Sequence, residues 1–163
     1  MEEIVFQDFD RTIELTAAPG AVWAAMRDVR RVASWVSIVR EVRDVEPPRR
    51  YAALLEDRLG PFAMRADLDV TIETDGDRTM RVAAAGEDRQ VASRISATID
   101  LSLEPRAAGT VVTVHGRYEI TGRIATLGSG AIRKKGDKIL EEFFANLGRE
   151  LGARDLTADP APS

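Results

Sequence analysis

The sequence carries one histidine, no cysteine and a scatter of carboxylates, which narrows the chemistry open to it. His115 stands in a stretch where Val112, Val114 and Tyr118 alternate with Thr113, His115, Arg117 and Glu119. In a strand these two sets point to opposite faces, so His115 is expected on the wet one. A single imidazole offers no partner for a His-based metal site, and without thiolates there is no sulfur-bound zinc. Asp67, Asp69 and Glu73 share a parity with Arg65 and Thr71 and read as a solvated face, not a carboxylate pair. Glu87-Asp88-Arg89 reads as a hairpin tip. Gly128-Ser129-Gly130 lacks the preceding strand and following lysine of a phosphate loop. No catalytic residue and no metal ligand set is expected.

The elements that position these residues follow a strand-and-turn pattern closed by one long helix. Residues 9–16 alternate and read as a half-buried strand. Pro19 suits the first turn of a helix. Val22, Trp23 and Met26, then Val29, Val32, Ala33 and Val36, give one or two short helices, with Trp23 a core residue. A second strand over residues 38–45 ends at Pro47-Pro48, and a third over 51–59 ends at Gly60-Pro61. The fourth, over 62–73, has the clearest period of two. Met80, Val82 and Ala84 mark a fifth, residues 95–103 a sixth and 110–121 a seventh. Residues 124–151 read as one amphipathic helix, roughly 40 Å long at 1.5 Å per residue. The expected fold class is α+β: a curved, seven-stranded antiparallel sheet gripping a long C-terminal helix, with two short helices after the first strand. Residues 1–153 are expected to form one domain and 154–163 a disordered tail.

The inward parity is where binding chemistry is expected. Phe62, Met64, Leu68, Met80, Val82, Ala84, Ile95, Ala97, Ile99, Val112, Val114 and Tyr118 on the strands face Ile132, Gly136, Ile139 and Phe143 on the helix. Filled cores favour large side chains, because each methyl-sized void costs about 1 kcal/mol. Small residues at Ala66, Ala84, Ala97 and Gly116, opposite Gly136, therefore suggest a cavity for a hydrophobic ligand. Trp35 and Tyr51 are placed near its mouth, and the Tyr118 hydroxyl is a candidate for orienting a polar ligand group.

A second feature lies at the start of the long helix. Gly122, Gly128 and Gly130 surround Ile124 and Leu127, and a glycine inside a helix costs about 1 kcal/mol relative to alanine. This weak tip is the expected route of ligand exchange. From position 123 to 138 there are five basic residues and one acidic, Asp137. Ile124 and Leu127 beside Arg133, Lys134 and Lys135 are thus a candidate contact for an anionic membrane surface or a partner.

Three segments give the chain a family likeness: Ala18-Pro19-Gly20-Ala21-Val22-Trp23-Ala24-Ala25-Met26, Gly60-Pro61-Phe62, and Leu127-Gly128-Ser129-Gly130-Ala131-Ile132 leading to Phe143-Phe144-Ala145-Asn146-Leu147. With the order of elements, these resemble the START/Bet v 1-like (SRPBCC) superfamily. Within it they are most similar to the CoxG-like proteins, named for the CoxG component of carbon monoxide dehydrogenase, over about residues 8–151. The resemblance implies a helix-grip fold, a hydrophobic cavity, a lipid-like or quinone ligand, and a role beside a redox enzyme or at a membrane. No other cofactor is implied.

Composition bounds the remaining readings. The chain is 163 residues long, 44% hydrophobic and 31% charged, which is ordinary for a globular domain. Its net charge of −4 argues against a nucleic-acid partner. The acidic start Met1-Glu2-Glu3 and the absence of a long apolar run read as a cytoplasmic protein with, at most, peripheral contact at the inner membrane face. A non-catalytic carrier is the leading expectation. A polyketide aromatase/cyclase-like enzyme, drawing on Tyr118 and Ser93, and a docking protein without ligand are the alternatives.

Overall fold

The computed structural model describes residues 4–154. They run β1 (Ile4–Leu15), α1 (Pro19–Arg27), α2 (Val29–Ala33), β2 (Val39–Glu46), β3 (Arg50–Leu59), β4 (Phe62–Asp75), β5 (Thr79–Asp88), β6 (Ser93–Arg106) and β7 (Gly109–Gly122). A 3₁₀ turn (Ile124–Leu127), α3 (Ser129–Leu151) and the two-residue β8 (Ala153–Arg154) follow. The seven long strands form the curved antiparallel sheet that alternation predicts. Short turns join β2 through β7 in sequence, and β1 closes beside β7, giving the order β2-β3-β4-β5-β6-β7-β1-β8.

Local chemistry explains where the elements begin and end. Pro19 occupies the first turn of α1, where a missing N–H costs nothing. Asp28 caps α2 by accepting the Arg31 N–H. Gly60, at φ 56°, supplies the left-handed residue of the β3–β4 turn.

The long helix is shorter than its apolar periodicity suggests. Gly128 sits at φ 90° and ψ 158°, outside any helical region. It separates the 3₁₀ turn from α3, which extends about 35 Å at 1.5 Å per residue. α3 stops at Gly152, a left-handed cap whose N–H reaches the Gly148 carbonyl. Arg154, expected in a tail, instead pairs with Glu14 of β1 in β8. The rest of that tail lies outside the described residues.

Glu87-Asp88-Arg89 is more than a hairpin tip. Asp88 is buried, and its carboxylate accepts the backbone N–H of Arg65 at 2.6 Å, Gln90 at 2.9 Å and Val91 at 3.3 Å. A buried carboxylate is tolerated where such donors surround it. It shapes the turn into β6.

Two apolar clusters hold the layers together. One joins α1, β6, β7 and the C-terminal half of α3 around Trp23, Val112, Phe144 and Leu147. The other joins β3, β4, the 3₁₀ turn and the start of α3 around Leu55, Ala66, Ile124 and Ile132.

Candidate functional site

Several inward residues between these clusters are only half-buried, among them Val70, Val82, Ala84, Ile99 and Phe143. Inward side chains keep exposed surface when they border a void. Here they line a cavity of about 330 Å³ between sheet and helices. That lies at the lower end of the usual range for ligand pockets, about 300–1,000 Å³.

The sheet wall comes from Tyr51, Ala53 and Leu55 of β3, Leu68, Val70 and Ile72 of β4, Met80, Val82 and Ala84 of β5, Ile99 and Leu101 of β6, Val114 of β7 and Phe9 of β1. α3 contributes Ile139, Leu140, Phe143 and Phe144. The rest is Met26 of α1 with Val29, Val32, Ala33, Val36, Ile38, Val39 and Val42, a segment that runs from α2 into β2. Among the described residues no charged side chain lies in this lining, and its one side-chain polar group is the Tyr51 hydroxyl.

The α2–β2 segment is fastened to α3 by polar side chains at four-residue spacing, which places them on one helix face. Glu142 accepts the Ser37 N–H at 2.8 Å, Asn146 donates to the Trp35 carbonyl at 3.0 Å, and Glu150 accepts from Arg31 Nε at 2.7 Å and from the Trp35 indole. Arg31, and secondarily the indole, hold the Glu150 carboxyl below its ordinary pKa.

Of the residues expected to line a cavity, Leu68, Met80, Val82, Ala84, Ile99, Val114, Ile139 and Phe143 do so. The others sit elsewhere. Met64, Ile95 and Ile132 are buried in the second cluster and Val112 in the first. Phe62 lies beneath the Arg123 guanidinium. Trp35 stands behind the wall, edge-on to Phe143 with ring centroids 5.7 Å apart.

The glycines expected to leave space are filled. The Phe9 ring lies over Gly116, and Tyr118 packs against Gly136. Ala97 is the register partner of Tyr118, and Ala66 is fully buried. The Tyr118 hydroxyl donates to Gln7 Oε1 at 2.6 Å instead of orienting a ligand, and Gln7 in turn donates to Asp137. Burial and then the Asp137 charge raise the Tyr118 pKa. Ser93 is likewise committed, to the Ile124 N–H and the Val91 carbonyl.

Lining residues not expected there include the half-buried valines of the α2–β2 segment, the pair Leu140–Phe144, Phe9 and Met26, and Ala53, Leu55, Val70, Ile72 and Leu101 on the sheet. The helical spacing of Val29, Val32 and Val36 and the alternation of the strand residues were visible, but nothing in either told cavity from core.

The polar candidates fall on the outer face. His115 is exposed with Nδ1 against Asp10, and Asp67, Asp69 and Glu73 are exposed too. The expected exchange tip is not next to the cavity, since neither Leu127 nor any residue of the 3₁₀ turn lines it. Ile124, expected at a membrane or partner contact, is fully buried. Lys135 is ion-paired with Asp57 at 3.1 Å, and Arg133 donates to the Phe6 carbonyl. Lys134 is exposed, and Leu127 is half-buried against Gly60.

Solved structures share this architecture. A conserved protein from Geobacillus kaustophilus matches with a TM-score of 0.76 at 16% identity, over 88% of this chain and 94% of its own. An uncharacterized protein from Rhizobium leguminosarum matches at TM-score 0.65 and 12% identity, over 91% and 99%. The di-domain ARO/CYC StfQ from the steffimycin biosynthetic pathway matches at TM-score 0.61 and 9% identity, over 88% of this chain and 49% of that one. At such identities the likeness is one of fold. No curated protein matches the sequence. The family model of CoxG, a component of carbon monoxide dehydrogenase, does match, over residues 12–152, and the chain therefore belongs to the CoxG family.

Proposed function

We propose that this protein is a carrier that holds one hydrophobic, lipid-like molecule in the cavity between its sheet and its helices. The observation that carries this reading is the lining itself, which has apolar side chains on every wall and, among the described residues, no charge. An empty apolar void of this size costs several kcal/mol relative to a filled core. Larger side chains at Ala53 or Ala84 would remove that cost, so its retention favours a bound occupant. Apolar ligand surface would contribute about 25 cal/mol per Å² before the costs of association.

Among lipid-like molecules a quinone is the first candidate, because the family's name ties it to a redox enzyme, carbon monoxide dehydrogenase. Service to such an enzyme would bring the protein to the cytoplasmic membrane face. No helix among the described residues is long and apolar enough to cross a membrane. Contact with anionic lipid would then fall to Lys134 and Lys138, exposed on one stretch of α3, and to the edge of Leu127. Flotation with anionic and neutral liposomes tests that contact, and equal recovery from both argues against it.

An aromatase/cyclase reading needs several polar groups aimed into the cavity, and the lining offers one hydroxyl. A docking protein without ligand needs a filled core, which the cavity opposes. The carrier reading is tested by melting the purified protein with and without short-chain quinones and fatty alcohols. A concentration-dependent rise in Tm is expected, and an unchanged Tm with every compound would count against it.

A further inference from the structure

One lining residue differs from the rest in chemistry. Tyr51 is 7% exposed, yet its hydroxyl has no hydrogen-bonding partner among the described residues. Tyr118 shows the contrast. The register puts Tyr51, Val70, Ala84, Ala97, Tyr118 and Gln7 in one row across β3, β4, β5, β6, β7 and β1. At the β1 end of this row the tyrosine hydroxyl is satisfied by Gln7. At the β3 end no protein group answers it among the described residues, and the hydroxyl, which is not sealed in the core, is left free to bond an occupant of the cavity.

We propose that Tyr51 is the polar anchor of the cavity, and that the ligand is an uncharged apolar molecule with an oxygen function at the end lying against β3. This inference rests on the carrier reading and adds the ligand's chemical class to it. Two observations select a neutral ligand over an anionic one. No arginine, lysine or histidine among the described residues lines the cavity, and an unpaired charge taken out of water is disfavoured far more than a neutral oxygen. One hydroxyl suffices for an alcohol or carbonyl oxygen, whereas a carboxylate or phosphate needs several donors. Fatty-acid-like anions are therefore excluded by the lining, and alcohols, ketones and quinones are accepted.

The test is displacement of Nile red, an uncharged dye, by decane, decanol and decanoate. Tyr51→Phe should weaken decanol about fivefold, the worth of one hydrogen bond, and leave decane unchanged. Tyr118→Phe should alter neither. Equal loss for decane and decanol, or no loss for decanol, would overturn the anchor. If Tyr51→Phe does not fold, the wild-type protein still decides. Decanoate should bind poorly at neutral pH and gain affinity as acid neutralises its carboxylate, while a pH-independent affinity would refute charge exclusion. Binding of all three probes without discrimination sinks this inference alone. Failure of every probe and of Nile red to bind sinks the carrier reading with it.

Discussion

Trp35 donates its indole N–H to Glu150, and through that bond the loop after α2 is tied to the last turns of α3. The same carboxylate takes the Arg31 side chain, while Asn146 and Glu142 hold the loop one and two turns earlier. The tied segment supplies much of one cavity wall, from Val29 to Val42. Release of this segment would open that wall of the cavity to solvent, whereas the sheet wall is held by a continuous ladder. Glu150→Ala is expected to speed ligand release several-fold, and Glu142→Ala to a lesser degree. Stopped-flow dissociation of Nile red measures this, and an unchanged rate would place the exit elsewhere.

The same fastening should respond to acid. The folded protein holds the Glu150 pKa below its ordinary 4.5, first through Arg31 and then through Trp35. A depressed carboxyl pKa contributes stability at pH above the unfolded value and loses it as pH falls through the folded one. Dye release is therefore expected to quicken below pH 4.5. Glu150→Gln should remove that dependence, and a variant that retains it would assign the effect to another group.

Filling the cavity should separate binding from folding. Ala84 lines the void at the centre of β5. Ala84→Phe places a ring where the ligand would lie, and is expected to reduce probe affinity more than tenfold. The melting temperature of the ligand-free protein should hold or rise, because the ring fills empty space and removes part of the cost of the void. Retained binding would show that the ligand lies elsewhere.

Leu147 is the converse case. It is fully buried in the closed cluster beside Trp23 and Phe144. Leu147→Ala should cost about 2–5 kcal/mol in denaturant unfolding, with probe affinity preserved while the protein is folded. A loss under about 1 kcal/mol would mean that this end of the core is also loosely filled.

Asp88 should be intolerant of substitution although it touches no ligand wall. Asp88→Ala strands the N–H groups of Arg65, Gln90 and Val91. The expected loss is about 2–3 kcal/mol, measured by urea unfolding. Near-wild-type stability would show that water replaces the carboxylate.

Much of the fold was legible because period two is hard to mistake over strands as long as β4 and β7. Pro19 and Gly60-Pro61 marked boundaries where the structure has them. The glycines around position 128 marked a weak start to the long helix but not a break in it, because the φ of 90° at Gly128 depends on the fold. The cavity was harder to read, because parity tells which side a residue faces but not what meets it there. Gly116 and Gly136 looked like open space and are occupied by Phe9 and Tyr118, side chains that arrive from other elements. Val29, Val32 and Val36 looked like an ordinary helix face, and became a cavity wall once α2 was fastened across the sheet. The one polar group in the lining, Tyr51, was recognisable as a tyrosine near a mouth. That its hydroxyl is unanswered is a fact of tertiary structure alone.

Native mass spectrometry of the purified full chain, followed by organic extraction, tests the central claim most directly. The account predicts a single uncharged hydrophobic molecule per chain, lost from Ala84→Phe. A wild-type protein that carries nothing, and that takes up neither Nile red nor added quinone or alcohol, would contradict it.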